Sequence, residues 1–383
     1  MPWMGNRWVA LALVFVTRTS TGFQFQSIAS VGPLMITDLG LSYAQLGTLL
    51  GLYLLPGALF SLLGGIVGQR LGERRAVLGS LALMAAGGGM TASAGGFAIA
   101  ATGRLISGVG AVVMNILLTK MVADWFAGEE LSTALAVMLS SWPVGLGAAA
   151  ATLGGVAAAT SWRTAVVVTA LAAGLGLLLM LLYHDAPAAS VGPACRTLAG
   201  RELRLSVSAG FAWGCFNASL VTLVAFGPGL LIARGATLGE AGFVVSLAIW
   251  VTIVSVPLGG LINDWLSRPT LLITAGSLIA AAFTLLIPVL AHAVLAFCLV
   301  GLAIGGPPGA MMALLPRALP PGSLATGFGV FYTMFYVMMA ATQPAAGLVR
   351  DLFGDPAAPI VFAAALMVVS TAALALFRRI ERA

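Results

Sequence analysis

One glycine-rich, charged stretch of the chain reads Gly64-Gly65-Ile66-Val67-Gly68-Gln69-Arg70-Leu71-Gly72-Glu73-Arg74-Arg75. It follows a run of apolar residues, which predicts the end of a helix and a short charged loop. The glycines let two helices approach closely, and the charges can cap helix ends or hold two parts of a protein together. A second stretch with the same character reads Gly260-Leu261-Ile262-Asn263-Asp264-Trp265-Leu266-Ser267-Arg268. The chain therefore carries the same helix-end signal twice.

The two stretches belong to an internal repeat. Gly32-Pro33 recurs 195 residues later as Gly227-Pro228, and Leu63-Gly64-Gly65 recurs at the same offset as Leu258-Gly259-Gly260. A weaker match at an offset of 193 pairs Leu131 with Leu324. An offset that stays constant through several elements predicts two equivalent halves. Parallel halves of this kind are typical of transporters that rock about a site between them.

The composition places the chain in the membrane class. Hydrophobic residues make up 60% of it and charged residues 8%, whereas a soluble domain has about 25% charged residues. Apolar runs of about 20 residues, the length that a bilayer helix needs, follow one another along the chain. We predict twelve helices at residues 8–33, 43–68, 75–95, 97–121, 130–158, 162–183, 204–233, 239–263, 269–290, 292–316, 323–349 and 358–378.

The longest polar break divides these helices into two groups of six. We predict an all-α membrane protein with an N-terminal bundle at residues 1–185, a linker at 186–203 and a C-terminal bundle at 204–383. Most of the 18 Lys and Arg residues fall in the loops on the side of the linker: Arg7, Arg70, Arg74, Arg75, Lys120, Arg196, Arg201, Arg204, Arg268, Arg317, Arg378, Arg379 and Arg382. The positive-inside rule places this side, with both termini, in the cytoplasm. The net charge of +6 therefore reflects topology, and we predict no nucleic-acid partner.

Two motifs carry a resemblance to a known family. The first stretch resembles the signature loop of the major facilitator superfamily, although Gln69 stands where the family has Asp and Glu73 where it has Arg. The run Arg104-Leu105-Ile106-Ser107-Gly108-Val109-Gly110-Ala111 resembles the superfamily's Arg-x-x-x-Gly-x-Gly-Ala motif. The resemblance implies a twelve-helix fold of two pseudo-symmetric bundles, a monomeric chain among the lipids of a bacterial inner membrane, and a cavity lined by helices 1, 4, 7 and 10. It also implies gating by helix-end residues, which we assign to Gly65, Gln69, Arg70, Arg74, Gly260, Asp264 and Arg268.

Shorter stretches are similar to one branch of that superfamily, the cyanate/nitroimidazole transporters, and more weakly to the nitrate/nitrite exchangers. They lie at residues 120–126, 142–145, 161–163, 327–331 and 344–347. These branches handle small anions or small polar solutes, so the resemblance implies a substrate of that kind.

Arg18 and Arg104 are the charged residues that we predict within the membrane, and none of the 12 Asp and Glu residues joins them there. An uncompensated cation in hydrocarbon is costly, so such residues usually face a cavity, a partner or a substrate. Arg18 lies near the middle of the most polar predicted helix, and we predict that it binds an anionic substrate. The alternative is a guanidinium satisfied by carbonyls or glutamines of the second or fifth helix. Arg104 either contacts the substrate too or anchors helix packing through backbone carbonyls.

Further candidates for substrate contact are polar and aromatic residues within the predicted helices. The repeat aligns Trp213 with Arg18, so the two halves contribute unequally to the site. Tyr332 and Tyr336 are four residues apart and share one helix face. The alternative for each aromatic residue is core packing. The other candidates are Gln24, Asn115, Asn217 and Trp250.

Pro307 and Pro308 interrupt the tenth predicted helix about midway along its apolar run. Proline removes a backbone donor and clashes with the preceding turn, so the helix should break or kink there. Broken helices at the midplane of transporters present helix ends to a ligand. The break therefore serves as a ligand contact, as a hinge for rocking, or as both.

Together these features predict a transporter of a small carboxylate or inorganic anion by alternating access. No carboxylate lies in the predicted membrane part, so we expect an exchanger (antiporter) or facilitated diffusion over carboxylate-driven proton coupling. The alternatives are an exporter of neutral or lipophilic molecules on the same fold and symport of an organic acid with its proton. No catalytic or metal-ligating constellation is present in the sequence, so we predict no enzyme activity, no metal and no cofactor.

Overall fold

A computed structural model describes residues 6–126, 130–184 and 198–382, without the side chains of residues 62–67, 69, 132, 264 and 321. Most of the predicted linker therefore lies outside the described residues. The side chains of Gln69 and Asp264, and Gly65 beyond its backbone, are likewise outside them.

The N-terminal half consists of seven helical segments. They are α1 (Arg7–Leu39), α2 (Tyr43–Leu54), α3 (Pro56–Leu71), α4 (Glu73–Ala92), α5 (Phe97–Trp125), α6 (Leu131–Ala159) and α7 (Trp162–Met180). Segments α2 and α3 replace the second predicted helix, which is interrupted at Leu55, before Pro56. Helix α1 runs past the predicted end at Pro33 and stops at Gly40, whose left-handed backbone (φ 62°) terminates it.

The C-terminal half consists of eight α-helical segments and one short 3₁₀ turn (Pro321–Ser323). The helices are α8 (Gly200–Ala233), α9 (Leu238–Leu266), α10 (Pro269–Leu286), α11 (Ala293–Ile304), α12 (Pro307–Met312), α13 (Leu314–Ala318), α14 (Leu324–Phe353) and α15 (Ala358–Arg382). The tenth predicted helix is thus three segments, divided at the predicted proline site. Helix α8 begins at Gly200, inside the range predicted for the linker.

Ten stretches of the described chain are long and apolar enough to cross a membrane. They include α2 joined to the start of α3, and the α11–α13 region. Helices α1 and α4 are not among the ten, although each is at least 20 residues long. Both are rich in polar or small residues and are packed among other helices of the half. The count of twelve spans and the cytoplasmic termini stay predictions.

The packing of the two halves follows the repeat. In the first half α1 packs against α6 and α7, and α4 packs against α5 and α7. In the second half α8 packs against α14 and α15, and α9 packs against α11. Because α1 and α8 are equivalent in the repeat, as are α6 and α14, the α1–α6 pair corresponds to the α8–α14 pair. These two pairs form the frame of the candidate site.

The halves meet through α14 with α2 and α3, and through α6 with α9. We call the end of the bundle that carries Tyr183 and Ala199 the linker end, and the opposite end the far end. At the far end the Asp351 carboxylate accepts hydrogen bonds from the backbone N–H groups of Tyr43 (3.0 Å) and Ala44 (2.8 Å). Nearby, a Cβ on Gly47 would collide with the backbone of Gln343. The far end is therefore closed by direct backbone contact.

Candidate functional site

Arg18 is nine-tenths buried and is held by the neighbouring helix α6. Its Nη1 atom donates to the carbonyls of Met138 (3.0 Å) and Leu139 (3.2 Å) and to the hydroxyl of Ser141 (3.0 Å). Its Nε atom is buried without a partner, and its Nη2 atom makes no hydrogen bond to any described residue. Arg18 also pairs with no carboxylate of the described chain. One terminal nitrogen of the guanidinium is thus fixed, while Nε and Nη2 make no hydrogen bond to a described residue.

Pro143 explains why α6 can hold Arg18. A proline inside a helix cannot donate to the carbonyl four residues earlier, which here is that of Leu139. That carbonyl accepts from Arg18 instead. The alternative prediction for Arg18 was that carbonyls of the fifth predicted helix, here α6, satisfy its guanidinium. In the structure α6 satisfies only the Nη1 atom. The sequence shows the proline within an apolar run but not that Arg18 lies against the carbonyl that it leaves free.

Tyr332 and Tyr336 of α14 lie close enough to Arg18 for its charge to act on both phenols. Neither hydroxyl has a hydrogen-bond partner among the described residues. Tyr336 packs face-on against Gly57 of α3, where a Cβ would collide with the ring. The structure thus brings together a cation from one half and two free phenol hydroxyls from the other.

Trp213 occupies the position in α8 that corresponds to Arg18 in α1. Just as Arg18 lies against α6, Trp213 lies against α14, with its ring centroid 6.5 Å from Phe331 and 6.4 Å from Phe335. It also stacks on Phe216 of its own helix at 6.2 Å. The half-buried Asn217 donates to the carbonyl of Trp213 (2.8 Å), so part of this amide is already used.

Arg104 donates to backbone groups from each of its three guanidinium nitrogens. Its Nε donates to Leu49 (3.1 Å), its Nη1 to Gln24 (3.0 Å) and its Nη2 to Phe25 (3.2 Å), each through a carbonyl oxygen. The guanidinium also stacks over Tyr53 at 4.3 Å. This geometry favours the anchoring alternative, because every guanidinium nitrogen of Arg104 already donates to a backbone carbonyl.

Two other polar candidates, Gln24 and Asn115, have no described contact with Arg18. The Gln24 amide donates to the carbonyl of Met84 (2.9 Å) and accepts a long bond from Tyr53 (3.4 Å), so it points into the helix packing of its own half. The Asn115 oxygen is buried without a partner, but no described contact joins it to Arg18. The hydroxyls that made α1 look polar mostly bond back to their own helix, as Thr21 does to Arg18 O (2.7 Å).

Trp250 belongs to the contact between the halves. Its ring lies directly over Gly147 of α6, 2.8 Å from where a Cβ would stand. Trp250 of α9 thus packs against α6, which agrees with the core-packing alternative predicted for this residue.

The predicted helix break at Pro307 is present, and only two residues separate the helices on either side of it. Gly305 and Gly306, between α11 and α12, both keep right-handed helical angles. Gly305 packs against Ser255 of α9, and Pro307 packs against Gly276 of α10. Pro308 follows within α12, a helix of only six residues. The segment is buried against its own half, which favours the hinge over the ligand contact.

Of the arginines assigned to gating, only Arg74 has described hydrogen bonds, and they stay within its own half at the linker end. Arg74 donates to the carbonyls of Leu181 (2.6 Å) and Met180 (3.4 Å) of α7. Lys120 pairs with Glu73 and with Asp124 (2.7 Å). Arg70 and Arg268 are exposed, and no described side chain pairs with either. Gly260 approaches Gly309 within its own half.

Sequence reasoning missed the far-end contact of Asp351, which joins residues more than 300 positions apart.

Within the described chain there is no group of three or more His, Cys, Asp or Glu residues placed to hold a metal. The groups around Arg18 are hydrogen-bond donors and aromatic rings, which can bind a ligand.

Comparison with known proteins gives one curated relative and two solved structures of note. The hexuronate transporter of Bacillus subtilis (strain 168) is 21% identical over 261 residues, which is 64% of this chain and 61% of that protein. The chain thus spans about three fifths of the length of the curated relative. It also resembles the nucleoside transporter NupG (TM-score 0.79, 14% identity, 97% and 99% of the two chains covered). A bacterial homolog of the human lysosomal transporter Spinster gives a TM-score of 0.75 at 16% identity, with 98% and 96% covered.

Neither the curated relative nor these structures supports the cyanate/nitroimidazole branch, and the two structures show the fold alone. The family itself is shown by the match to its model. The Major Facilitator Superfamily model matches residues 14–342, which is most of the chain, and the protein belongs to that superfamily of membrane transporters.

Proposed function

We propose that the protein moves a small anion across the membrane by alternating access, with Arg18 as the central ligand. The observation that carries this proposal is the state of the Arg18 guanidinium. It is nine-tenths buried, lacks a carboxylate partner among the described residues, and keeps Nε and Nη2 unpaired. A buried charge without a counter-charge is destabilising. An anionic substrate supplies the missing charge.

The two tyrosines complete the proposed site. A carboxylate has two oxygens and accepts several hydrogen bonds. The free N–H groups of Arg18 serve one edge of such a group, and the hydroxyls of Tyr332 and Tyr336 serve the other. Because the cation comes from one half and the phenols from the other, bound anion links the halves.

This link also favours exchange. Closing the halves over an empty site would bury the free side of Arg18 without a counter-charge. Closure over a bound anion avoids that cost, so a loaded carrier reorients more easily than an empty one. The closed far end supports a resting state open toward the linker end. We place the protein in a bacterial inner membrane as a monomer, with the linker end in the cytoplasm.

The relative named as a hexuronate transporter is consistent with this class, since a hexuronate is a sugar carboxylate. The observation that favours the rival, an exporter of neutral or lipophilic molecules, is the aromatic surface of α8 and α14. A neutral substrate would leave Arg18 uncompensated, so we favour the anion.

Counterflow in proteoliposomes tests the proposal. Vesicles preloaded with one anion should take up the same labelled anion, measured across acetate, lactate, benzoate, glucuronate, nitrate and cyanate. Arg18→Gln should abolish counterflow while the protein still elutes as a folded species. Arg317→Gln, an exposed linker-end arginine without a described partner, is the matched control and should transport normally. Normal counterflow by the Arg18 variant would overturn the proposal.

A further inference from the structure

We propose that the preferred substrate is a carboxylate carried on a flat unsaturated ring, bound with its ring against Trp213. This inference rests on the proposed anion site at Arg18 and names the class of anion that the site takes. It starts from the unequal contributions of the two halves.

The C-terminal half presents a connected set of rings. Trp213 stacks with Phe216, Phe331 and Phe335, and the set continues through contacts at centroid distances of 5.0 to 6.3 Å. Its seven members are Trp213, Phe216, Phe328, Phe331, Tyr332, Phe335 and Tyr336. Only Phe216 and Phe331 are fully buried; the others keep partly exposed surfaces. An exposed ring face flanked by packed rings is a firm surface on which another ring can stack.

The pseudo-symmetry relates this surface to Arg18. Trp213 takes the position of Arg18 in the repeat, and the helices that carry them, α8 and α1, contact each other. Tyr332 and Tyr336 belong at once to the ring set and to the surroundings of Arg18. A ligand whose charged group meets Arg18 and the two hydroxyls therefore has ring faces beside it.

The contacts of this surface among the described residues are mostly between rings, which suits a sugar acid poorly. A sugar carries several hydroxyl groups, and burying each without a partner is costly. The amide of Asn217 already donates one N–H to Trp213 O, and the hydroxyls of Tyr332 and Tyr336 lie within reach of the Arg18 charge. The indole N–H of Trp213 has no described partner, so it and the rest of the Asn217 amide remain for a ligand. A ligand with one ring, one carboxylate and few other polar groups matches the hydrogen-bonding groups beside this surface.

Four carboxylates separate the possibilities by isothermal titration calorimetry on the purified full chain. They are benzoate, cyclohexanecarboxylate (a ring of the same carbon number that is not flat), acetate and glucuronate. Stacking and apolar burial together should make benzoate bind about tenfold more tightly than acetate. Cyclohexanecarboxylate should fall between the two, and glucuronate should bind no better than acetate.

Trp213→Leu should remove the preference for benzoate over cyclohexanecarboxylate and leave acetate affinity unchanged. If that variant does not fold, Phe335→Leu replaces it and should reduce the same preference. Trp265→Leu, at an 86% exposed position near the linker end of α9, is the control and should keep the wild-type order. Equal affinities for benzoate and acetate, or tighter binding of glucuronate, would overturn this inference and leave the anion site standing. Unaltered binding of all four acids by Arg18→Gln would instead overturn the proposed function.

Discussion

Arg18 and Arg104 lie on packed helices of the same half, and both are at least nine-tenths buried, yet their surroundings differ. Arg104 gives its Nε and both terminal nitrogens to three backbone carbonyls and rests on the ring of Tyr53. Arg18 spends a single nitrogen on α6 and keeps Nε and Nη2 free. We therefore propose that Arg104 is an anchor and Arg18 a ligand site, because the protein's own groups use all three guanidinium nitrogens of Arg104 and only one of Arg18.

The largest effect should follow from removing the anchor. Arg104→Gln leaves carbonyls of α1 and α2 without their charged donor, which we expect to cost about 3–5 kcal/mol, as for a broken buried charge contact. We predict little or no monodisperse protein in detergent, measured by size-exclusion chromatography. Arg18→Gln should purify normally, because it removes bonds at one nitrogen only. Equal yields of the two variants would contradict the contrast between them.

Removing the phenol hydroxyls should weaken the anion site without disturbing the fold. A hydrogen bond to a charged group contributes roughly 1.5–3 kcal/mol, so Tyr336→Phe should lower anion affinity about tenfold or more. Tyr332→Phe should act in the same direction. Titration calorimetry with the best-bound anion measures both.

The control for these variants is Tyr43→Phe. Tyr43 lies at the far end, where its ring faces Arg350 at 4.8 Å, and no described residue bonds its hydroxyl. Its affinity should match the wild type. If all three variants bind equally, the tyrosines are not ligands.

Pro143→Ala tests whether α6 positions Arg18. Alanine restores an N–H that can donate to the Leu139 carbonyl, so Arg18 should lose one of its orienting bonds. One hydrogen bond is worth about 1 kcal/mol, and we predict about fivefold weaker anion binding with an unchanged elution profile. Pro257→Ala, an exposed proline within α9, is the matched control. An unchanged affinity in the Pro143 variant would show that the carbonyl contact does not orient the guanidinium.

The smallest effect concerns the far end, where a carboxylate joins the halves. Asp351→Asn removes a negative charge from the start of α2, an interaction of about 0.3–1 kcal/mol. Hydrogen exchange at the amides of Tyr43 and Ala44 should accelerate about two- to fivefold. Asp355→Asn, whose oxygen accepts from Ala357 in its own loop, should leave those amides unchanged. Equal exchange rates in both variants would show that Asp351 does not stabilise the contact between the halves.

The sequence predicted what local patterns determine. Apolar run length, the glycine-rich stretches and the repeat predicted the helices, and the family match confirms a major facilitator transporter. Helix ends were less predictable, because α1 continues through Pro33 and α8 begins at Gly200. Proline costs one hydrogen bond, and packing on neighbouring helices offsets that cost.

The partners of the buried arginines could not be predicted, since they depend on contacts between distant helices. Arg18 and Leu139 are 121 positions apart, and Arg104 and Gln24 are 80 apart. The hydroxyls of α1 were misleading in sequence because a helix can satisfy them through its own carbonyls. Trp213 became a candidate because the repeat aligned it with Arg18, and its role in binding stays a prediction.

The most direct test is equilibrium binding of a small carboxylate to Arg18→Gln, measured by titration calorimetry beside the wild type. If Arg18 holds the anion, the variant should remain folded and its affinity should fall about a hundredfold or more, since a charged contact is lost from a buried site. An affinity within twofold of the wild type would contradict the assignment of Arg18 as the anion ligand.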